Sequence, residues 1–161
     1  MPTFTSRVEV PYRPDQLFDL VADVDKYPEF LPWCGGARVH TRSDAELLAD
    51  LTIRFGPFHE TFASRVSLER PHRIRARYEN GPFRYLNNQW VFSSRPIGTQ
   101  VDFWVDFEFR NRILQAAIGA VFSEAVKRMV SAFIKRARDV YGAPSPAQIV
   151  GQAADPAALR S

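Results

Sequence analysis

Three polar residues occupy positions where the surrounding pattern calls for apolar side chains. Glu60 and Ser64 share an alternating face with Phe62, and Asn88 shares one with Trp90. A carboxylate that faces a closed apolar core is costly unless it is paired or neutralised. If the core is instead a ligand cavity, these groups can hydrogen-bond a polar head while aromatic rings contact the rest. For each residue, a strand irregularity that turns it to solvent, or an ion pair with an arginine, is the alternative.

The motifs of the common enzyme classes are missing from the sequence. It contains no GxSxG, HExxH, P-loop or GxGxxG pattern. His40, His59, His72 and the single Cys34 have no metal-ligand spacing. One cysteine excludes an internal disulfide and is typical of a reducing compartment, and we expect it to be a buried, inert thiol. We therefore expect no enzymatic activity, no metal and no catalytic cofactor.

The composition indicates one globular domain rich in β-structure. The 161 residues are 45% hydrophobic and 24% charged, which argues against disorder, and they include 13 Phe, 5 Tyr and 3 Trp. A net charge of +3 is too small a surplus to indicate a DNA partner. The chain begins without an apolar signal core and contains no stretch of about 20 apolar residues. We expect a cytoplasmic protein, or one peripheral on a membrane.

Apolar periodicity predicts a strand, a helix and then about six more strands. Residues 3–10 alternate as a half-buried strand, and Pro14 opens a helical pattern that continues to Asp25. From 37 to 109 the period is two almost throughout, most clearly from Val101 to Phe109. Gly and Pro turns separate these runs, which favours an antiparallel meander with one dry face.

The period changes to that of a helix at Asn111 and continues without proline to Tyr141. This predicts one helix of about 30 residues, with Gly142 as its C-cap. Its first part, Ile113 to Phe122, is apolar on two sides and is expected to meet something besides the sheet. The Ala- and Pro-rich residues 143–161 predict a disordered tail, so the domain is expected to span 1–142.

The order of elements predicts an α+β fold. A curved antiparallel sheet of six to seven strands has one apolar face, and the long C-terminal helix is the element large enough to cover it. A curved sheet that grips one helix rarely closes without a gap. We therefore expect an internal hydrophobic cavity.

Five segments of the chain together form a specific pattern. They are VPYRPDQLFDLVADVDKYPEFLPWC (10–34), GPFHETFASRV (56–66), NGPFRYLNNQWVF (80–92), VDFEFRN (105–111) and FSEAVKRMVSAFIKRARDVYG (122–142). In these segments the chain resembles the coenzyme Q-binding proteins of the START-like (polyketide cyclase/dehydrase, helix-grip) superfamily. The resemblance covers residues 3–142. It implies a helix-grip fold with a hydrophobic tunnel for ubiquinone, held as a ligand and not as a catalytic cofactor. It also implies a lipid chaperone that supports respiration.

By analogy with that family, particular side chains are expected to form the tunnel. The expected apolar walls are Phe30, Trp33, Phe62, Trp90, Phe107, Val121, Phe122 and Met129. Glu60, Ser64 and Asn88 are expected to meet the ring carbonyls, with Glu60 protonated or bridged by water. The entrance should meet a bilayer through apolar loop tips and the first half of the long helix, at the inner face of the respiratory membrane.

Two other functions are compatible with the same resemblance. The family includes bacterial toxins that bind the large ribosomal subunit, and such binding would use basic residues such as Arg73, Arg75, Lys127 or Arg128. A polyketide cyclase or aromatase would need an acid or base in the cavity, and Glu60 is the candidate.

Overall fold

The computed structural model describes residues 3–55 and 58–142, without the side chains of Phe55 and Phe58. Within these residues the strands are β1 (Thr3–Val10), β2 (Cys34–Arg42), β3 (Glu46–Phe55), β4 (Phe58–Glu69), β5 (Arg73–Asn80), β6 (Phe83–Arg95) and β7 (Gly98–Phe109). The α-helices are α1 (Pro14–Ala22), α2 (Arg112–Gly119) and α3 (Phe122–Tyr141), and a 3-10 helix covers Val24–Glu29. The predicted tail, 143–161, lies outside the described residues.

The strands form one antiparallel sheet in the order β1-β7-β6-β5-β4-β3-β2. β7 shows how the sequence produces its two faces, because Val101, Phe103, Val105, Phe107 and Phe109 are buried and the residues between them are not. β1 pairs with β7 at one edge, and α1 and the 3-10 helix carry the chain to β2 at the other edge. The predicted fold class, a curved antiparallel meander with a helix across its concave face, is confirmed.

α3 covers the concave face of the sheet with one apolar stripe. Its buried residues Val126, Val130, Phe133 and Ala137 recur every three or four positions, which places them on one side of the helix. The end of α3 is fixed by Tyr141, whose hydroxyl donates to the Gln16 carbonyl at 2.8 Å.

The prediction of one uninterrupted helix from 111 to 141 is wrong, because the chain breaks at Ala120 and Val121. Val121 has φ −121° and ψ 3°, outside the helical region. Gly119 ends α2 immediately before the break, and glycine costs a helix interior about 1 kcal/mol relative to alanine. The predicted start at Asn111 is confirmed, since its side chain accepts from the backbone N–H groups of Ile113 and Leu114.

Candidate ligand-binding site

A cavity of about 220 Å³ lies between the concave face of the sheet and the helices. Strands β3 to β7 line one side of it, and residues of α1, the 3-10 helix, α2 and α3 line the other. The predicted internal cavity is therefore present. None of the described residues that line it carries a charge.

Aromatic rings from several elements form much of the cavity wall. The ring of Trp90 lies 4.5 Å from Phe103 and 5.1 Å from Phe133, measured between centroids. Phe107 and Phe122 are 4.5 Å apart in a tilted arrangement, which joins β7 to the start of α3. Such ring pairs are favourable beyond the area that they bury. They give the cavity a largely aromatic, apolar wall.

Nine of the eleven side chains predicted for the site line this cavity. They are Trp33, Phe62, Ser64, Asn88, Trp90, Phe107, Val121, Phe122 and Met129. The fold thus brings together residues that lie up to about a hundred positions apart in the chain. Their contact with a ligand stays a prediction.

Glu60 does not line the cavity, and its predicted place there is wrong. It lies opposite Ile53, a lining residue, so it occupies the expected face of β4. However, β5 pairs with β4 only from Ala63 onwards, and the β3–β4 hairpin extends past the end of β5. Glu60 lies on this extension and is exposed to solvent. A carboxylate that remains in water avoids the desolvation cost that made its predicted position unusual.

Phe30 is also outside the cavity. It follows the 3-10 helix, and its half-buried ring packs against Phe133 at 5.2 Å and Tyr27 at 6.0 Å. The guanidinium of Arg136 lies 5.0 Å from the centre of the Phe30 ring, a cation–π contact. Phe30 therefore packs against the lining residue Phe133 from outside the cavity.

The polar groups at the cavity wall are neutral. The hydroxyl of Ser64, a buried residue, donates to the Arg77 carbonyl at 3.4 Å. Asn88 is half-buried and adds an amide with both donors and an acceptor. The Tyr27 hydroxyl donates to the Val21 carbonyl, and burial raises its pKa, so it stays protonated.

Tyr78 carries a buried polar atom that the sequence-based site prediction missed. Its hydroxyl is buried without a hydrogen-bond partner in the described part of the chain. Tyr78 lies directly opposite Ser64, and its ring packs 5.4 Å from Phe83, which lines the cavity. The alternation of Ile74, Ala76 and Tyr78 contained the signal, because it places this hydroxyl on the same face as Ser64.

The cavity reaches the surface where α2 meets α3. Val121 lines the cavity and is nevertheless 39% exposed. Next to it lies an apolar surface that we call the α2 surface, formed by the exposed residues Ile113, Ala116, Ala117, Ala120 and Val121. Ile113 is 79% exposed, and exposed Arg110 and Arg112 flank it. Among the described residues, no helix has the length and apolar character needed to cross a membrane.

Comparison with known proteins identifies the family. Residues 10–134 match the family described as polyketide cyclase/dehydrase and lipid transport. The chain belongs to this family. The match covers strands β2 to β7, α1, α2 and most of α3, which include the elements that enclose the cavity.

Members and fold relatives of this family differ in what they do. The chain is 37% identical over 135 residues to ribosome association toxin RatA of Rickettsia prowazekii, covering 81% of this chain and 92% of the toxin. It is 36% identical over 133 residues to mitochondrial coenzyme Q-binding protein COQ10 homolog B of Xenopus laevis, covering 80% and 54%. The crystal structure of Zhui aromatase/cyclase from a Streptomyces species has TM-score 0.76 at 18% identity, covering 86% and 95%, which shows the fold alone.

Some fold relatives of this chain are cyclases, and their chemistry would need an acid or base that the described cavity wall does not supply. Glu60, the candidate, lies outside the cavity, and the described lining residues include no carboxylate and no imidazole. Cys34 is buried, donates to the Gly36 carbonyl at 3.3 Å, and has its thiol pKa raised by burial. A protonated, inaccessible thiol is a poor nucleophile. The described lining residues thus offer apolar surface and neutral hydrogen-bonding groups.

The basic residues considered for ribosome binding lie on two different surfaces. Arg73 and Arg75 alternate with the lining residue Ile74, so they point to the convex side of the sheet. Lys127 and Arg128 are exposed on α3, which covers the concave side. One flat partner surface cannot contact both pairs together.

Proposed function

We propose that this chain binds a polyprenylated quinone such as ubiquinone in its cavity and acts as a non-catalytic carrier that supports respiratory electron transport. The observation that carries the proposal is an aromatic cavity with neutral polar groups and an opening beside an exposed apolar helix. The relative named for coenzyme Q binding supports the choice of ligand. Burying apolar ligand surface contributes about 25 cal/mol per Å².

The cavity volume suggests how such a ligand is held. An engineered cavity of about 150 Å³ binds benzene, so 220 Å³ accommodates a substituted ring and a short piece of tail. A long polyprenyl tail exceeds this volume. We infer that the ring and the first isoprene units occupy the cavity, and that the rest of the tail leaves past Val121.

The α2 surface is the part of the molecule best suited to deliver a tail into a bilayer. Its apolar side chains can enter the interfacial region, and Arg110 and Arg112 can pair with anionic head groups. No acidic residue occurs between Phe109 and Phe122. We therefore propose peripheral attachment to the respiratory membrane from its cytoplasmic side.

Two measurements test quinone binding. Mass spectrometry of an organic extract of protein purified from a quinone-producing host should detect quinone. Titration of emptied protein with a short-tailed quinone should quench the fluorescence of Trp33 and Trp90, which line the cavity. A Trp90→Phe, Trp33→Phe variant retains only Trp104, which is 36% exposed on the opposite face and should be quenched far less. Protein that is empty as purified and takes up no quinone would refute the proposal.

A second candidate function, association with the large ribosomal subunit, is favoured by the RatA relative. The convex face offers a surface for RNA, because Gln89 pairs with both Arg75 and Trp104. An arginine and an exposed aromatic ring therefore lie in one cross-strand row. Arginine binds phosphate and a ring stacks on an unpaired base.

Charge reversal tests which face a ribosome would contact. Arg77 continues the outward alternation of Arg73 and Arg75 on β5. Co-sedimentation with large subunits should weaken for Arg75→Glu, Arg77→Glu and stay unchanged for Lys127→Glu, Arg128→Glu. The slope of log affinity against log salt should fall by about 0.7–0.9 for each phosphate that the variant no longer neutralises. Equal weakening in both double variants would contradict the convex-face assignment, and no co-sedimentation of the unmodified protein would exclude the function.

A further inference from the structure

Asn88 lies on the sheet side of the cavity and is surrounded there by other lining residues. Its four nearest neighbours on the inner face of the sheet are Leu86 and Trp90 on β6, Ala76 on β5 and Val105 on β7. All four line the cavity, and so does Asn88 itself. On a pleated sheet, a side chain projects from the same face as residues two positions away and residues directly opposite. The Asn88 side chain therefore projects into the cavity.

The amide of Asn88 makes no hydrogen bond to the described part of the protein. Asn88 is half-buried, and its amide atoms border open space, because among the described residues only the Tyr78 hydroxyl is both closed off and without a partner. The hydroxyls of two other lining residues, Ser64 and Tyr27, each donate to a backbone carbonyl already. Asn88 therefore brings unused donors and an unused acceptor to the cavity wall.

An amide in this position contributes to ligand binding rather than to the fold. In an apolar environment a polar group that has no protein partner does not stabilise the folded chain. Ala76, directly opposite Asn88, has a small side chain and leaves space beside the amide for a ligand atom. Two residues span about 6.6 Å along a strand, so a ring that reaches the amide also lies beside the indole of Trp90.

Resting on the proposed quinone-binding function, we propose that Asn88 determines ligand specificity by hydrogen-bonding one ring oxygen in both the oxidised and the reduced form of the ring. The amide N–H donates to the carbonyl of a quinone. After rotation of the amide, its oxygen accepts from the hydroxyl of a hydroquinone. None of the described lining residues carries a charge that would favour one form. Binding transfers no electron or proton, so the carrier accepts the ligand on either side of a redox reaction.

Three probes of the same shape separate this hydrogen bond from apolar burial. They are a trimethylated benzoquinone with a pentyl tail, its hydroquinone, and the benzene that carries the same alkyl groups but no oxygen. Equilibrium dialysis measures each affinity, and oxygen is excluded for the hydroquinone. The unmodified protein should bind the quinone and the hydroquinone with affinities within about threefold of each other, because the amide makes one neutral hydrogen bond to either.

Asn88→Leu replaces the amide by an apolar side chain of similar shape. It should lower the affinities for quinone and hydroquinone about five- to tenfold relative to the affinity for the oxygen-free probe, because a ring oxygen loses its partner. The stability of the empty protein in urea should not fall, since the amide has no protein partner to lose. Asn88→Ala adds no bulk to the cavity and should show the same loss relative to the oxygen-free probe.

Asn87→Leu is the matched control, because Asn87 is the preceding residue of the same strand and does not line the cavity. It should leave all three affinities unchanged. Equal effects of Asn88→Leu on the three probes would overturn the role of the amide while leaving a lipid carrier intact, and a loss confined to the quinone would overturn recognition of the reduced ring. Failure of the unmodified protein to bind any of the three probes would overturn both proposals.

Discussion

A carboxylate at the cavity mouth, introduced as Val121→Glu, should weaken quinone binding about 30- to 150-fold without unfolding the protein. Val121 lines the cavity, is 39% exposed and lies in the turn between α2 and α3. In the empty protein the new carboxylate can stay in water. Substitutions at such exposed sites usually change the free energy of unfolding by about 0.5 kcal/mol or less.

The expected loss of affinity follows from the apolar surface of Val121 that the ligand tail would cover. Full burial of a valine side chain is worth about 1.5–3 kcal/mol, and the exposed 39% leaves about 1 kcal/mol for the tail to gain. Partial desolvation of the carboxylate adds a penalty of about 1–2 kcal/mol, a fraction of that of a buried ion. The sum of about 2–3 kcal/mol corresponds to about a 30- to 150-fold weaker complex.

Tryptophan quenching by a short-tailed quinone measures the affinity, and urea denaturation measures the stability. Ile113→Glu is the matched control, because it places the same charge on α2 at a residue that is 79% exposed and does not line the cavity. It should change quinone affinity less than threefold and weaken binding to anionic vesicles. Phe62 is unsuitable for this test, since it is buried against Phe83 and a charge there would also destabilise the core. Full quinone affinity of Val121→Glu would refute an exit past this residue.

Three further predictions concern the framework of the site. Asn111→Ala should lower the free energy of unfolding, measured in urea, by about 1 kcal/mol because it removes the N-cap of α2. Asn111→Ser should keep most of the capping stabilisation, since serine also caps helices. Equal destabilisation by the two variants would contradict the capping role. Phe83→Ala should cost about 3–5 kcal/mol in the same assay because Phe83 is 2% exposed, and Trp104→Ala on the convex face should cost far less. Burial raises the pKa of the Cys34 thiol, so unfolding should become easier as the pH rises above about 8.5. Cys34→Ala should remove this dependence up to about pH 10, above which buried Tyr27 contributes as well. Rapid alkylation of the folded protein at neutral pH would contradict the burial of the thiol.

Alternation of residue types is sufficient to predict the sheet and most of the cavity wall. In β7 every second residue from Val101 to Phe109 is apolar and buried, so the strand and its inner face follow from the sequence alone. The same reasoning places Ser64, Asn88 and Trp90 on faces that line the cavity. Local pattern determines the face of a strand, and in a curved sheet under one helix that face becomes a cavity wall.

The wrong predictions concern places where the outcome depends on the ends of neighbouring elements. The alternation of residue types predicts the correct strand face for Glu60. It cannot predict that β5 ends before it reaches the level of Glu60. The helical period runs through Ala120 and Val121, and only the backbone angles show the break that opens the cavity. Tyr78 fits the pattern of an ordinary inward-facing strand residue, and a sequence cannot show that its hydroxyl lacks a partner among the described residues.

The two functions proposed for this chain would use different surfaces of the fold. The proposed quinone site lies in the concave interior beside Val121, whereas the proposed RNA surface uses Arg75 and Trp104 on the convex face. The sheet separates these surfaces, and substitutions far apart usually have independent effects. Val121→Glu should therefore weaken quinone binding about 30- to 150-fold and preserve ribosome co-sedimentation, while Arg75→Glu, Arg77→Glu should do the reverse. If one variant abolished both activities without unfolding the protein, ligand occupancy and partner binding would be coupled, and carrier and ribosome-binding factor would be one function.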